Sequence, residues 1–393
     1  FLKRALGDAE GAQSRYLEVI DINPYSFIAH IDLASLHFDK QQAGAAGKQK
    51  ESILPIDQRN LEFAEELLKR AQKIDPDSHL PKVDLGNLYL SKGDLKKSRK
   101  IFEESLNLLT NIKADEYISI LSRLGIAAMF DENYEEARNY FQQASSSHVF
   151  TEGAGIGEYL PKFTCLYNIA LTHIFERKYE SAVIAIDLAL QTIIDDEIGT
   201  GDSDWLRSDL ELLKFQALSH ALQNEESLKS LESYEQLSHS GSLIMMAGNS
   251  NEVDLSQPKQ EWLEIIHKYN RISRFIVLSD FDSARENLDL FLSQHINSLE
   301  QGLGSGKNNY YKLVGQLYLM EGNASASIEA YSKVEQTQLE VDPYHRYFFA
   351  LANKSVGNLP ESKRIFKSIS DYYTESWELA FVRNLAKQQL ATW

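Results

Sequence analysis

The sequence predicts an all-α fold, a solenoid of stacked antiparallel helix pairs, and three observations predict it. First, small and bulky residues return with a period of about 34 residues. Gly86, Ser98, Phe102 and Ser105 hold the same relative places as Gly125, Ala137, Phe141 and Ala144. Ala170, Ala182, Ile186 and Ala189 repeat the series, as do Gly315, Ser327, Tyr331 and Val334. Second, 43% hydrophobic and 25% charged residues over 393 positions is the balance of a folded protein. Third, the length exceeds what one core usually holds, whereas a repeat array grows along one axis and escapes that limit.

The period has a physical reason, because a pair of short amphipathic helices cannot hide its apolar stripe alone and buries it against the next pair. Small residues mark the crossings. Gly86 or Ala170 on a first helix and Ala137 or Ala182 on a second let two backbones approach, while Phe102, Phe141 and Tyr331 fill the space beside them.

Taken in order, Gly7, Ala12, Tyr16, Val19 and Pro24 match the later part of a repeat, so Phe1 falls inside a helix and the chain reads as a piece of a longer protein. A first helix follows near residues 27–38, and its partner begins only near Asn60. Between them, Gln41 to Lys50, rich in Gln, Ala, Gly and Lys, reads as an insertion. The hairpin resumes with Ala64, Leu68, Ala71 and Pro76, and regular repeats occupy residues 79–112, 118–151 and 163–196. The stretch 205–239 fits only loosely. Ser238 to Gln260, punctuated by Gly241, Gly248 and Pro258, breaks the helical pattern. Three more repeats span 262–298, 308–341 and 343–376, and an amphipathic helix at 377–391 covers the last face. The expected organisation is therefore an array over 1–239, an irregular linker over 240–260 and a second array over 261–393.

The residues Leu85-Gly86-Asn87-Leu88-Tyr89, the turn Gly93-Asp94-Leu95 and the Ser98, Phe102, Ser105 series resemble tetratricopeptide repeats (TPR). Asn133-Tyr134-Glu135-Glu136-Ala137 and Lys178-Tyr179-Glu180-Ser181-Ala182 do so as well. The resemblance implies a right-handed superhelix of about eight to nine such repeats with a C-terminal capping helix. Serine replaces the family's usual alanine at positions 98, 327 and 362.

Composition and motifs exclude several functions. One cysteine, Cys165, permits neither an internal disulfide nor a cysteine-based zinc site. A formal charge of −17 disfavours nucleic acid and anionic membrane surfaces, both of which call for lysine and arginine. No apolar run approaches the ~18 residues of a membrane span, and Phe1 to Gly7 lacks the apolar core of a secretory signal, so a cytoplasmic location is the default. Gly302 to Lys307 imitates a phosphate-binding loop with the wrong spacing, and Asn308 stands where Ser or Thr should hold magnesium. Gly153 to Gly157 fails the dinucleotide fingerprint. His30 and His37 lie two turns apart, too far to be adjacent metal ligands, and the acidic run Asp195, Asp196, Glu197, Asp202 and Asp204 lacks calcium-loop spacing. No cofactor and no catalytic residue is expected.

What remains is binding. The resemblance implies that the first helix of each repeat lines a concave groove for a partner peptide or helix, here an apolar one. Carrying the family's groove positions across selects Ile126, Met129 and Phe130, then Tyr167, Leu171, Ile174 and Phe175, then Tyr344, Tyr347 and Leu351. The alternative is that these side chains pack against neighbouring helices. Chaperone-tail recognition by a Lys, Asn and Arg clamp is not matched: Asn87 and Arg123 are present, but Val83 and Thr164 stand where lysines are needed, and Lys312 with Gln316 makes half a clamp. The sequence thus points to a non-enzymatic scaffold or adaptor with a protein partner. A regulatory or sensor portion of a larger signalling protein is the alternative, ahead of a helical-repeat enzyme.

Overall fold

The computed structural model describes residues 8–38, 59–109, 114–147, 156–195, 200–247, 257–300, 306–372 and 376–393. Among these the chain is helical and contains no strand. The fold is an α-solenoid of antiparallel helix pairs. The chain divides into two compact units, Phe1–Thr172 with Tyr373–Glu375, and His173–Tyr372 with Ser376–Trp393. The insertion at Gln41 to Lys50 and the glycine-rich run Gly302 to Ser305 lie outside the described residues.

The first unit contains α1 (Ala9–Ile22), α2 (Phe27–Ala34), α3 (Leu61–Ile74), α4 (Leu80–Ser91), α5 (Leu95–Leu106), α6 (Ala114–Phe130), α7 (Tyr134–Ser146) and α8 (Ile156–Phe175) as far as Thr172. Side-chain caps start several of them: Asp8 accepts from the Gly11 N–H at 2.8 Å, Asn60 from Phe63 at 2.9 Å and Asp94 from Lys97 at 3.2 Å. Ala12, Tyr16, Leu33, Ala64, Leu68 and Leu88 share one apolar cluster that runs from α1 through α4. In α5 the buried residues are Ser98, Phe102 and Ser105, one stripe at helical spacing on an otherwise charged helix.

The crossing glycines do what their position demands. A Cβ placed on Gly86 would enter the Phe102 ring, one on Gly125 would lie 2.6 Å from Phe141, and one on Gly315 2.7 Å from Tyr331. The serines that depart from the family pattern have a common role. Ser98 donates to the Gly86 carbonyl at 2.8 Å, Ser327 to Gly315 at 2.7 Å and Ser362 to Ala350 at 2.8 Å, each bond buried and each spanning the two helices of one pair.

The second unit holds the rest of α8 with α9 (Tyr179–Asp195), α10 (Thr200–His220), α11 (Asn224–Ala247), α12 (Gln257–Val277), α13 (Phe281–Glu300), α14 (Gly306–Met320), α15 (Ala324–Ser332), α16 (Gln336–Glu340), α17 (Pro343–Ser355), α18 (Leu359–Ser370) and α19 (Trp377–Ala391). Helix α11 continues to Ala247 and α12 begins at Gln257, so much of the stretch expected to be irregular is helical. The intervening residues 248–256 lie outside the described set.

The loosely matching stretch 205–239 is regular in structure. A left-handed residue at the hairpin turn recurs at Gly93, Glu132, Arg177, Leu222, Ser279, Gly322 and Gly357, with φ from 59° to 86°. In each case the next residue's N–H reaches back five positions, as Asp94 to Tyr89 at 2.9 Å and Gln223 to Leu218 at 3.0 Å. Counting back seven residues from Leu222 and Ser279 gives Phe215 and Ile272, bulky side chains where the other pairs carry Gly or Ala. Their partners are correspondingly trimmed: Phe215 clusters with Leu231 and Tyr234, and Ile272 with Ala284, Leu288 and Phe291.

Candidate functional site

The candidate site is a cleft of about 230 Å³ in the second unit, lined by Leu212, Ile266, Tyr269, Asn270, Asn309, Asp342, Tyr344, Trp377 and Glu378. Leu212 is on α10, the next three on α12, Asn309 on α14, and Asp342 with Tyr344 at the start of α17. Each of these is the first helix of its pair. Helix α19 supplies Trp377 and Glu378. Ile266, Tyr269 and Asn270 lie three and four apart and therefore share one face of α12.

One wall is a buried network of aromatic and imidazole groups. The Tyr269 hydroxyl lies 2.6 Å from Nε2 of the fully buried His345, and the Tyr331 hydroxyl lies 3.3 Å from its Nδ1. Burial lowers the His345 pKa to about 4, so the ring is neutral and one nitrogen accepts while the other donates. The nearby Asp342 carboxylate opposes that shift without reversing it. His220 is also lowered to about 4 by burial and stacks on Phe381 at 4.2 Å. The Tyr344 hydroxyl lies 3.4 Å from His220 Nε2 and accepts from the Gln316 amide at 3.4 Å.

The charged groups are arranged unequally. Asp342 caps α17 by accepting from the His345 N–H at 2.9 Å, and its other oxygen meets Lys312 Nζ at 2.8 Å. Burial works to raise the Asp342 pKa, and the interaction with the His345 ring, the Lys312 charge and these hydrogen bonds outweigh it, leaving the carboxyl below its usual value. Glu378, in the first turn of α19, makes no ion pair among the described residues, and burial pushes its carboxyl up to about 7. Asp209, one turn before Leu212 on α10, is raised to about 7 by burial as well.

Helix α19 does more than cover the end of the array. It packs on α17 and α18, and the Asn384 amide donates to the Phe175 carbonyl at 2.7 Å. Phe381 sits 5.7 Å from Tyr179 and beside His220. The last helix thus touches the earliest helices of its own unit as well as the latest.

The groove residues selected from sequence divide sharply. Ile126, Met129, Phe130, Leu171, Ile174, Phe175, Tyr344 and Tyr347 are buried, whereas Tyr167 and Leu351 are half-buried. Tyr167 faces Phe163 at 6.0 Å, and Tyr347 packs on Phe366 at 5.5 Å. Tyr344 alone of the ten lines the cleft. Ile266, Tyr269, Asn270, Asn309 and Glu378 were not selected from sequence. The shared face of Ile266 and Tyr269 was the available signal, obscured because the α12 pair carries its bulk at exchanged positions. The half-clamp residues are engaged internally, Lys312 with Asp342 and Gln316 with Tyr344, while Arg123 donates to Asn87 at 2.5 Å. His30 Nδ1 lies 2.8 Å from the Ser26 carbonyl and His37 Nδ1 accepts from the Asn60 N–H at 3.2 Å. No helix among the described residues is long and apolar enough to cross a membrane.

Residues 77–147 match the family model described as tetratricopeptide repeat. No curated protein matches the sequence significantly. Among solved structures, YrrB, described as a TPR protein with an unusual peptide-binding site, is 16% identical with a TM-score of 0.34, covering 60% of this chain and 98% of that one. A tetratricopeptide repeat protein from Parabacteroides merdae is 14% identical with a TM-score of 0.41, over 80% and 97% of the two chains. The apo form of the quorum sensor NprR from B. thuringiensis is 16% identical with a TM-score of 0.38, over 86% and 83%. Residues 77–147 thus match tetratricopeptide repeats, and the same turn and crossing geometry recurs in other described helix pairs of the chain.

Proposed function

We propose that the chain is a non-enzymatic protein-binding scaffold that grips a segment of a partner polypeptide along the inner faces of its first helices. The observation that carries this reading is the convergence of α10, α12, α14, α17 and α19 on one cleft with aromatic walls and polar groups. Tetratricopeptide repeats are interaction modules, which supports a protein partner. The half-buried Tyr167 and Leu351 are the members of the sequence-selected set with side-chain surface left to offer.

The test uses the full chain as bait in native extract beside an Ile266→Arg variant checked for unaltered helicity. Ile266 is half-buried at the cleft, so a long cation there obstructs the site without removing core volume. Partners should be lost from the variant by tenfold or more. An identical set of captured proteins at equal yield would refute the reading.

A further inference from the structure

We propose that this cleft is an anchor site for an organic cation, the alkylammonium of a lysine side chain in a bound basic segment or a small free amine. The inference deepens the scaffold reading and rests on it for the lysine source, while the amine source stands without it.

Size limits the occupant. At about 230 Å³ the cleft is smaller than the ~300–1,000 Å³ of drug-sized pockets and suits one long side chain. Its chemistry selects the charge. Two carboxylates, Asp342 and Glu378, face it, and Lys312 pairs with Asp342 at 2.8 Å. Glu378 is left with hydrogen bonds from its own helix start and from Ser376.

Aromatic rings border the same space. Tyr344 and Trp377 lie 5.8 Å apart by ring centroid, and Tyr269 closes the side formed by α12. Faces of this kind attract ammonium groups, most strongly where water is excluded. A second observation points independently to a ligand: Asn270 is 3% exposed, lines the cleft and makes no side-chain hydrogen bond among the described residues. A buried amide is normally paired, and the Asn270 side-chain carbonyl is the kind of acceptor that an ammonium N–H would meet. The apolar Leu212 and Ile266 suit the methylene stem of such a side chain.

The groups facing Glu378 are Asp342 at the start of α17, Lys312 on α14, Tyr269 on α12, Tyr344 on α17 and Ser376 ahead of α19. With the Glu378 carboxyl near 7, an entering cation displaces its proton, so binding strengthens as pH rises from 6 to 8 and releases a proton near neutrality.

The experiment titrates the intact chain by calorimetry with three probes at pH 6 and 8: N-acetyl-lysine methylamide, its neutral isostere N-acetyl-norleucine methylamide, and n-butylammonium. Both cations, or n-butylammonium alone, should bind at least tenfold more tightly than the norleucine compound at pH 8. Preference for the blocked lysine identifies a peptide side chain as the source, and preference for n-butylammonium a free amine. Glu378→Gln should remove the pH dependence and weaken binding about tenfold, and Asn270→Leu should weaken it with the pH dependence retained. Equal binding of the norleucine compound, no cation binding at either pH, or an unchanged Glu378→Gln titration would each overturn the proposal. If n-butylammonium binds as described while Ile266→Arg loses no protein partner, the cation site stands and the scaffold reading fails.

Discussion

The Ser98 hydroxyl donates to the Gly86 carbonyl at 2.8 Å, clipping the second helix of a pair to the first where the two backbones come closest. The same bond recurs from Ser327 to Gly315 and from Ser362 to Ala350, so a small residue, Gly or Ala, stands at each acceptor. The substitution of serine for alanine is therefore a use of the close approach, since hydroxyl and carbonyl meet only where the crossing is tight.

Replacing Ser98 by alanine should destabilise the chain by about 0.5–1.5 kcal/mol, the net worth of one buried hydrogen bond. Ala is the residue that other pairs carry there, so no cavity larger than a hydroxyl is created. Urea unfolding checks the value. A stability unchanged within about 0.2 kcal/mol would show that the bond contributes nothing.

Gly86→Ala drives a methyl group into the Phe102 ring and should cost about 1–3 kcal/mol. Adding Phe102→Leu to that variant should recover part of the loss, because the smaller side chain vacates the space. A double-mutant cycle with no coupling between the two positions would contradict this packing.

How much of this was legible in the sequence depends on where each pair keeps its bulk. Gly86 with Phe102, Gly125 with Phe141 and Gly315 with Tyr331 announce themselves, because a small residue opposite a large one is a pattern of types at fixed spacing. The α10–α11 pair hid, since Phe215 stands at the crossing where the other pairs carry Gly or Ala and packs on Leu231 and Tyr234. The cleft was less legible still. Tyr344 was found from its register, whereas Asn270 and Glu378 line the same cleft from α12 and α19, a juxtaposition that only tertiary packing creates. Eight of the ten selected groove positions turned out buried because the same first helices also supply core to their neighbours.

Leu222 occupies a left-handed turn at φ 60° with its side chain largely exposed. Leu222→Gly should stabilise the chain by about 0.5–1 kcal/mol, the relief of about 1–2 kcal/mol of backbone strain less the added freedom of the unfolded glycine. Thermal unfolding reads the change. A lower midpoint would mean that the exposed leucine contributes more than its backbone costs.

Acid and base should act on the second unit through different groups. His220 and His345 have folded pKa values of about 4, below the ordinary 6.5, so the stability they contribute is full above 6.5 and is lost as pH falls towards 4. Glu378 runs the other way: its value of about 7 lies above 4.5, so its contribution is present below 4.5 and lost as pH rises through 7. Glu378→Gln should therefore stabilise the chain at pH 8, by at most about 3 kcal/mol, and leave it unchanged at pH 4.5. Denaturant melts at the two pH values separate these contributions, and equal effects at both would contradict the assignment.

The central claim is that a partner polypeptide lies against the first-helix faces of the second unit, and site-specific photo-crosslinking addresses it most directly. A photoreactive phenylalanine at position 266 in the cleft should crosslink to a partner in native extract, and the same probe at Ser293, exposed on the second helix α13, should not. Partner crosslinked at 293 with none at 266 would contradict the account.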